Sequence, residues 1–329
     1  MQIHWLVSTA IALTLVGATP HPKAHALAHA KRPTYESNPS QGDETETPSG
    51  DGGSGITLPP NCMKTSDGIA VGMQSVLGDF SRFGDAFPKS PCVWGFYGNI
   101  NAQEDFVTPA KAGLEKANAA DVIFMLSLQP NMPAEQIDVQ TVVNSLKTLA
   151  GSVTKYPLWL RLGQEANTGR YNMNAQQYTA LFQKVAAGVK QESLKIKMYW
   201  CPNGQNWGEI DSWYPGSQSV DIAGVDTYAM NVESRISDGL ALSFCTTYAK
   251  HPIWIGESGL QPEDEHGVWN SAQGKTAVPW GKQMGCASFK QQCKSYLGFS
   301  WFEINDPDHG DFKGHLGEVK EGLSQGASC

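Results

Sequence analysis

Two glutamates, Glu165 and Glu257, each follow a short apolar run at the point where that run gives way to polar residues. Leu-Trp-Leu-Arg-Leu at residues 158–162 precedes the first glutamate, and Ile-Trp-Ile at residues 253–255 precedes the second. Two carboxylates that flank a glycosidic bond are the minimum for its hydrolysis: one is the acid and then the base, and the other is a nucleophile or a base toward water. The pair therefore indicates glycoside hydrolysis, whereas either glutamate alone is as typical of a surface loop or a helix cap.

The two carboxylates need opposite surroundings for this chemistry. The acid must hold its proton, which requires an apolar or negatively charged environment, while the nucleophile must stay ionised near hydrogen-bond donors. Arg161 interrupts the first apolar run, and a buried arginine needs an acidic or polar partner. Arg161 and Tyr228 are therefore the expected donors to Glu257.

Amide and aromatic side chains stand at several further positions where apolar runs end. Amides and hydroxyl-bearing aromatics suit sugar hydroxyls, and the face of a tryptophan suits the apolar face of a pyranose ring. The chain has ten tryptophans, which is consistent with a glycan cleft, although most of them are expected to pack in the core or at the rim. The predicted substrate-binding residues are Arg161, Gln164, Asn167, Asn203, Tyr228 and Trp301.

Other hydrolytic and metal-dependent chemistries find less support in the sequence. Ser258 follows Glu257 directly, but the local Gly-Glu-Ser-Gly lacks the Gly-x-Ser-x-Gly elbow, and no histidine partner is evident. The acidic stretch at residues 306–311 suggests calcium, yet its spacing matches no calcium loop, and a solvated loop is the favoured interpretation. We therefore predict neither a metal site nor a cofactor.

The elements that position these residues alternate along the chain as strand-like runs and helical patterns. This alternation predicts one α/β domain at residues 59–329, a (β/α)8 barrel, in which the working residues lie at the C-terminal ends of the strands. A doubly wound open sheet is the alternative, but no Gly-rich phosphate loop follows the first strand. The predicted strands are residues 69–74, 93–97, 122–128, 158–162, 197–201, 220–225, 253–255 and 297–302, and the predicted helices are residues 106–117, 139–149, 175–190, 235–248 and 280–294.

The residues before this domain are expected to serve export. An apolar run at residues 5–17 is too short to span a bilayer comfortably and is followed by small residues, which predicts a signal peptide at residues 1–18; a pro-segment that extends to residue 32 is an alternative. Residues 33–58 are rich in Ser, Thr, Pro and Gly and predict a disordered segment. We expect a secreted, extracellular monomer. The formal charge of −8 argues against contact with nucleic acid or a polybasic contact with a membrane, so a neutral glycan is the expected partner.

Seven cysteines in a secreted chain predict disulfides and one thiol left over. Cys286 and Cys293 are close enough in sequence to close a small loop, and a bond between Cys62 and Cys329 would join the two ends of the folded region. Cys201 lies in an apolar strand and is the predicted free thiol. The pairing of the two remaining cysteines stays open.

Several segments between residues 150 and 315 resemble, in the same order, the motifs of glycoside hydrolase family 26 and its fungal relatives in clan A. These segments are Pro-Leu-Trp-Leu-Arg-Leu-Gly-Gln-Glu-Ala-Asn at residues 157–167, Met-Tyr-Trp-Cys-Pro-Asn at 198–203, Trp-Tyr-Pro-Gly at 213–216, Val-Asp-Ile-Ala-Gly-Val-Asp-Thr-Tyr at 220–228, Pro-Ile-Trp-Ile-Gly-Glu-Ser-Gly at 252–259, and Phe-Ser-Trp-Phe-Glu at 299–303 with Gly-Asp-Phe at 310–312. The resemblance implies a retaining (β/α)8 glycosidase with Glu165 as the acid/base and Glu257 as the nucleophile. It also implies that Tyr228 hydrogen-bonds the nucleophile and that Trp301 forms the floor of the subsite for the cleaved sugar.

One position departs from the family pattern in a way that bears on the substrate. Gln164 stands where the family has histidine and most of the clan has asparagine, and Ala166 replaces the usual methionine. The resemblance implies an endo-acting β-glycosidase on a neutral cell-wall polysaccharide, with β-mannan favoured and β-1,3- or mixed-linkage glucan and β-xylan as alternatives. The long loop at residues 260–278 is expected to shape the cleft. A non-catalytic glycan-binding protein is the competing class, and a secreted effector without a sugar partner is a third.

Overall fold

The described strands close into a barrel that carries the predicted glutamates at one end. The computed structural model describes residues 55–75, 81–101, 105–228, 240–259, 277–303, 305–306, 310–311 and 315–325. Eight parallel strands pair in chain order, and the last pairs with the first, which confirms the predicted single (β/α)8 barrel. The strands are β1 (Ala70–Gln74), β2 (Val93–Ile100), β3 (Ile123–Pro130), β4 (Leu158–Leu162), β5 (Ile196–Trp200), β6 (Ile222–Ala223), β7 (Ile253–Ser258) and β8 (Tyr296–Phe302), followed by an antiparallel pair, β9 (Asn305–Asp306) and β10 (Gly310–Asp311).

Alternation along each strand divides the buried side chains into two layers. Trp159 of β4 belongs to the apolar cluster that fills the barrel, together with Tyr199 of β5 and Trp254 of β7. Leu158 and Leu160 belong to the larger cluster between the strands and the helices. Because both faces of β4 are covered, all of its residues are buried, and this explains the nearly continuous apolar run in the sequence.

Helices cover the outside of the barrel. The described helices are α1 (Ser81–Ala86), α2 (Val107–Ala119), α3 (Val139–Ala150), α4 (Ala175–Gln191), α5 (Leu240–Thr247), α6 (Val278–Met284), α7 (Ala287–Gln292) and α8 (Leu316–Gln325), with 310 helices at Ala134–Gln136, Ala166–Thr168 and Gly204–Trp213. The helices predicted in the first half of the domain agree with α2, α3 and α4. The sequence patterns do not predict α1, α8 or the 310 helices. α1 is short, whereas α8 carries an apolar stripe of Leu316, Val319 and Leu323 that the prediction missed.

The single helix predicted at residues 280–294 is wrong, since two short helices, α6 and α7, occupy this stretch. Cys286, which separates them, has an extended backbone with φ −74° and ψ 123°. Gly285 lies so near α8 that a Cβ atom at this position would be 2.6 Å from the Leu323 side chain. The break therefore accompanies a close contact between two helices, which a pattern within one segment cannot reveal.

Some of the predicted features fall outside the described residues. These are the signal peptide at residues 1–18, a pro-segment to residue 32, most of the segment at 33–58, and residues 260–276 of the long loop. At the start of the described chain, Ile56 and Leu58 already pack against the cluster inside the barrel. No helix in the described part of the chain is long and apolar enough to cross a membrane.

The disulfides differ from those expected from sequence proximity. They join Cys62 to Cys92 and Cys245 to Cys293. The predicted Cys286–Cys293 and Cys62–Cys329 bonds are therefore wrong, because Cys62 and Cys293 have other partners. Cys286 is also disulfide-bonded. The prediction for Cys201 is confirmed, since it is a buried free thiol in the structure.

Candidate active site

The alternation in β4 directs Arg161 into the barrel. Arg161 has the same parity along the strand as Trp159, so its side chain points inward, where it is completely buried. Its guanidinium contacts two carboxylates: Nη1 lies 3.2 Å from Asp226 Oδ1, and Nη2 donates to Glu257 Oε1. The acidic partners that the sequence predicts for a buried arginine are present, and they offset the cost of burying the cation.

Immediately after β4 the chain turns sharply and presents Glu165. Gly163 and Glu165 both have left-handed backbones, with φ of 61° and 55°, a conformation that costs a residue other than glycine roughly 1–2 kcal/mol. Glycine is required at 163 for a second reason, since a Cβ atom there would lie 2.7 Å from the Tyr178 ring. The hydroxyls of Tyr178 and Tyr171 donate to main-chain carbonyls of this turn, at 3.0 Å each. These contacts hold the strained residue in place.

Glu257 reaches the same end of the barrel through an irregularity in β7. Trp254 belongs to the cluster inside the barrel and Ile255 to the cluster outside it, so strict alternation would send Glu257 outward as well. The register of β7 against β8 shifts between Ile255 and Ser258. This irregularity turns Glu257 toward the site, as a bulge re-aims a side chain. Ser258 instead faces α6, where its hydroxyl accepts from Trp280 Nε1 at 2.8 Å.

Three side chains donate to the carboxylate of Glu257. Arg161 and Tyr97 bind Oε1, the tyrosine hydroxyl at 2.6 Å, and the Tyr228 hydroxyl binds Oε2 at 2.9 Å. Burial raises the pKa of Glu257, but the charge of Arg161 and the hydrogen bonds from Tyr97 and Arg161 outweigh it and hold the pKa below its ordinary value. Glu257 is therefore a buried carboxylate that stays ionised.

Asp226 is a third acid in this network. It follows β6, it is buried, and its Oδ1 lies 3.1 Å from the thiol of Cys201 as well as beside Arg161. Burial raises the pKa of Asp226 well above its ordinary value, and the charge of Arg161 opposes this only in part. Gly256 makes room for the pair, because a Cβ atom there would lie 2.6 Å from Asp226 Oδ1 and 2.7 Å from Arg161 Nη1. The glycine before Glu257 is thus a packing requirement of the ion pair.

Glu165 has two polar partners of its own. Asn203 donates from Nδ2 to Oε1 at 2.6 Å, and Arg170 Nη2 lies 3.4 Å from Oε2. Burial raises the pKa of Glu165, the negative charge of Glu257 adds to the rise, and Arg170 is the largest of the opposing influences. Of the two glutamates, Glu165 is therefore the one suited to hold a proton.

Asn167 supports the donor to Glu165. Its Nδ2 donates to the carbonyl of Asn203 at 2.9 Å, and its Oδ1 accepts from the Asn203 N–H at 2.8 Å. The amide of Asn167 thus engages the main chain of the neighbouring loop at both ends. This pair of hydrogen bonds fixes the position from which the Asn203 side chain reaches Glu165.

The three acids lie close enough together to act at one point. One carboxylate oxygen from each of Glu165, Asp226 and Glu257 lies within 4.8 Å of the others. For the two glutamates, this is in keeping with the about 5–5.5 Å between carboxyl groups of a retaining pair and short of the about 6.5 Å at which inverting pairs begin. Three acids at this spacing also suit a cation, but Arg161 already places a permanent positive charge between two of them. Arg161 would therefore compete with a cation for Asp226 and Glu257.

Two predicted residues lie beside this network. Gln164 is completely buried, and neither end of its amide has a hydrogen-bond partner among the described residues. Trp301, the residue expected to form the floor of a subsite, is 1% exposed and belongs to the cluster between the barrel and the helices, so it presents no open ring face. The next residue, Phe302, packs against Tyr97 and Tyr228, which both bind Glu257.

Four residues of the site are not among the predicted site residues: Tyr97, Asp226, Arg170 and Phe302. Tyr97 and Asp226 stand at strand ends, a signal that the sequence carries but cannot rank among many other polar strand ends. Arg170 follows Gly169, which has a left-handed backbone with φ 75°. Its approach to Glu165 depends on that turn and has no signature in the spacing.

The sequence matches the family described as Glycosyl hydrolase family 26 over residues 137–241. This stretch contains the acid/base candidate Glu165 with Asn203 and Tyr228, and it ends before Glu257. The match confirms the resemblance that the sequence motifs indicate. No curated protein matches the chain.

Solved structures with a similar fold include glycoside hydrolases of more than one family. An endo-beta-1,4-mannanase double mutant from Cellulomonas fimi is 16% identical, with a TM-score of 0.58, over 80% of this chain and 72% of that chain. A beta-mannanase from a symbiotic protist of the termite Reticulitermes speratus, complexed with gluco-manno-oligosaccharide, is 13% identical, with a TM-score of 0.53, over 82% and 94%. A GH53 catalytic domain from Ignisphaera aggregans is 13% identical, with a TM-score of 0.55, over 82% and 99%. At these identities the likeness shows the shared barrel alone.

Proposed function

Because this chain is a glycoside hydrolase related to family 26, we propose that it is a retaining endo-β-glycosidase that cleaves a neutral polysaccharide by double displacement. Glu257 is the nucleophile and Glu165 the acid/base in this proposal. The observation that carries it is the pairing of two buried glutamates with oxygens within 4.8 Å of each other, one bound by Arg161, Tyr97 and Tyr228 and the other by Asn203 and Arg170. The pKa of Glu257 is held low and that of Glu165 is raised, which is the division of roles that double displacement needs.

In the first step, an oxygen of Glu257 forms a bond to the anomeric carbon while the glycosidic C–O bond breaks. The proton of Glu165 passes to the departing glycosidic oxygen, which leaves as a hydroxyl of the released sugar. Arg161, Tyr97 and Tyr228 keep Glu257 ionised until this step. Because these donors already point at Glu257 before the reaction, little reorganisation is needed when the charge moves.

In the second step, a water molecule replaces the departed sugar and attacks the anomeric carbon. Glu165, now ionised, takes a proton from the water, the bond between the anomeric carbon and Glu257 breaks, and Glu257 regains its negative charge. Asn203, which donates to Oε1 of Glu165 at 2.6 Å, stabilises the ionised form that this step requires.

β-Mannan is the favoured substrate class, and β-1,3- or mixed-linkage glucan and β-xylan are the alternatives. The family match supports a polysaccharide substrate, and the solved relatives from Cellulomonas fimi and from the termite symbiont are described as mannanases. Gln164 is the residue at which this chain departs from the motif that it resembles. The assay on mannans, xylans and β-glucans described below therefore identifies the sugar. Phe302, packed on Tyr97 and Tyr228, is our candidate for the aromatic surface below the cleaved sugar.

The proposed enzyme acts outside the cell. The apolar run at residues 5–17 and the small residues after it support export, and the disulfides Cys62–Cys92 and Cys245–Cys293 suit an oxidising compartment. Expression of the full chain in a secreting host, followed by N-terminal sequencing of the protein in the medium, tests this point. Recovery of the uncleaved chain inside the cells only would count against it.

The function is tested by the release of reducing sugar from mannans, xylans and β-glucans. We expect the parent chain to cleave one class, and Glu165→Gln and Glu257→Gln to lose at least about a hundredfold in activity, the usual contribution of such groups. Glu192→Gln is the matched control, because Glu192 pairs with Lys147 on the exposed surface. A parent chain that binds a glycan and cleaves none would be a binding protein. Activity that survives both substitutions would place the chemistry elsewhere.

A further inference from the structure

Arg170 is a cation at the exposed edge of the proposed acid/base. Its Nη2 lies 3.4 Å from Glu165 Oε2, and its side chain is 38% exposed whereas that of Glu165 is 10% exposed. Asn203 occupies the other oxygen of the carboxylate. Both oxygens of Glu165 therefore face donors that cannot accept a proton, and this arrangement favours the ionised carboxylate.

An arginine at this place opposes the first step of the proposed reaction and assists the second. Glu165 must carry a proton when the glycosidic bond breaks and must be ionised when water attacks. Burial and the charge of Glu257 favour the protonated form of Glu165. A nearby positive charge is therefore needed to stabilise the carboxylate in the step in which Glu165 is a base. Arg161 cannot serve this purpose alone, since its guanidinium is engaged with Asp226 and Glu257.

We propose that Arg170 is a positioning residue that balances the acid and base forms of Glu165; this inference rests on the proposed function of the site. Its guanidinium holds Oε2 of Glu165 in the free enzyme and limits how strongly the buried site retains the proton. The side chain of Arg170 is 38% exposed, so it borders the side from which a sugar can reach Glu165. Arg170 itself exchanges no proton and forms no bond to the substrate in this scheme.

Charged and titratable groups face Glu165 from several elements of the barrel, and each contributes to its ionisation. Glu257 on β7 and Asp226 after β6 favour the protonated form, as does Tyr171 if it ionises, whereas Arg161 on β4 and Arg170 favour the carboxylate. Arg170 acts most strongly among the opposing groups, ahead of Asn203 and Arg161. A substitution of Arg170 is therefore expected to change the pKa of Glu165 measurably, even with the other charged groups in place.

An exposed ion pair usually contributes little free energy, because water screens the charges of both partners. The pair with Glu165 differs from this case, since the carboxylate lies in a nearly enclosed site where charges are screened less. Lys155 and Asp121 form a matched comparison: Nζ lies 2.7 Å from Oδ1, and the two side chains are 59% and 39% exposed. Lys155 precedes β4, at the opposite end of the strand from Glu165.

The test compares Arg170→Gln, Arg170→Lys and Lys155→Gln with the parent chain. The ionisation of Glu165 is followed by NMR of the carboxyl carbons in protein labelled with 13C-glutamate, with the signal assigned by its loss in Glu165→Gln. We expect Glu165 of Arg170→Gln to titrate at higher pH than in the parent, Arg170→Lys to restore much of the parent value, and Lys155→Gln to match the parent. An unchanged titration in Arg170→Gln overturns the inference.

Activity supplies the second readout and separates this inference from the proposed function. The basic limb of kcat/KM against pH reports the proton on the acid/base of the free enzyme, so it should move to higher pH in Arg170→Gln and not in Lys155→Gln. If the titration of Glu165 moves but the parent cleaves no polysaccharide, the proposed function fails, and only the effect of Arg170 on the ionisation of Glu165 stands. If the parent cleaves and both the titration and the basic limb are unmoved, Arg170 has no such role.

Discussion

Arg161 and Glu257 form an ion pair inside the barrel in which the guanidinium is 0% exposed and the carboxylate 7% exposed. Arg161 reaches Asp226 with its other terminal nitrogen, so one side chain joins the ends of three strands, β4, β6 and β7. Such a bridge needs a planar cation with several donors in fixed directions. The position of the proposed nucleophile therefore depends on the shape of arginine as well as on its charge.

Arg161→Lys should fold and lose most of its activity. A lysine keeps the positive charge but cannot bind Asp226 and Glu257 together, so Glu257 loses a fixed donor. We expect kcat/KM to fall about 10²–10³-fold, as it does when one preorganised donor is removed from a site. Steady-state kinetics measure the loss, and circular dichroism confirms the fold. An activity within a few-fold of the parent would contradict this role.

Tyr97→Phe should move the acid limb of the pH profile. The Tyr97 hydroxyl donates to Glu257 Oε1 at 2.6 Å and helps to hold the pKa of Glu257 below its ordinary value. Without this donor the pKa of Glu257 rises, so the nucleophile is protonated over a wider range at low pH. The acid limb of kcat/KM is then expected at higher pH, with the basic limb unchanged. A shift of the basic limb alone would assign Tyr97 to Glu165 instead.

Glu165→Gln and Glu257→Gln should change stability in opposite directions at neutral pH. Folding raises the pKa of Glu165, which weakens the folded state once the pH exceeds the ordinary pKa of glutamate, so its removal is expected to stabilise by roughly 0.5–2 kcal/mol. Folding lowers the pKa of Glu257, and its removal leaves Arg161 short of a buried partner, at a cost of roughly 2–4 kcal/mol.

Urea unfolding at neutral and at acidic pH measures both effects. The contribution of Glu257 is present above the ordinary pKa of glutamate and disappears as the pH falls through its lowered value, so the two variants should approach the parent in acid. Glu192→Gln, on the surface, is the control for the substitution itself. Equal changes of the same sign in both glutamate variants would contradict the assigned ionisation.

Gln164→Met should lower activity without lowering stability. Both polar atoms of the Gln164 amide are buried without a partner among the described residues, so removing them should leave the free energy of unfolding unchanged or raise it. The amide is completely buried in the free protein, so a sugar hydroxyl meets it only when substrate binding uncovers it. In that case kcat/KM should fall roughly tenfold to hundredfold, since leaving a buried polar group unpaired costs about 1–3 kcal/mol. Denaturant unfolding and steady-state kinetics together distinguish a role in substrate binding from a role in packing. A destabilised variant with full activity would mean that Gln164 is a packing residue.

The barrel and the position of Glu165 follow from local patterns in the sequence. The run at residues 158–162 agrees with β4 at both ends, because a strand covered on both faces has an apolar signal along its whole length. Arg161 shares parity with Trp159, but both faces of β4 are apolar, so only the structure shows which of them points into the barrel. By contrast, simple alternation gives the wrong face for Glu257, because the register of β7 shifts against β8.

Contacts between distant segments account for most of what the sequence does not reveal. Tyr97 and Glu257 are 160 residues apart, and no spacing connects them. The disulfides show the same limit, because Cys293 bonds Cys245 across 48 residues and not its nearer neighbour. Trp301 and Phe302 are adjacent in β8, so their side chains point to opposite faces of the strand. Phe302 packs against Tyr228, whereas Trp301 is buried on the other face.

Double displacement through Glu257 is distinguished from a single displacement by NMR of the first product formed. An oligosaccharide of the class that the parent cleaves, mannohexaose if it is β-mannan, is mixed with enzyme, and the anomeric protons of the new reducing end are recorded before mutarotation. Two displacements preserve the configuration of the anomeric carbon, so we expect the β-anomer to appear first. Initial appearance of the α-anomer would mean a single inverting displacement and would contradict the assignment of Glu257 as the nucleophile.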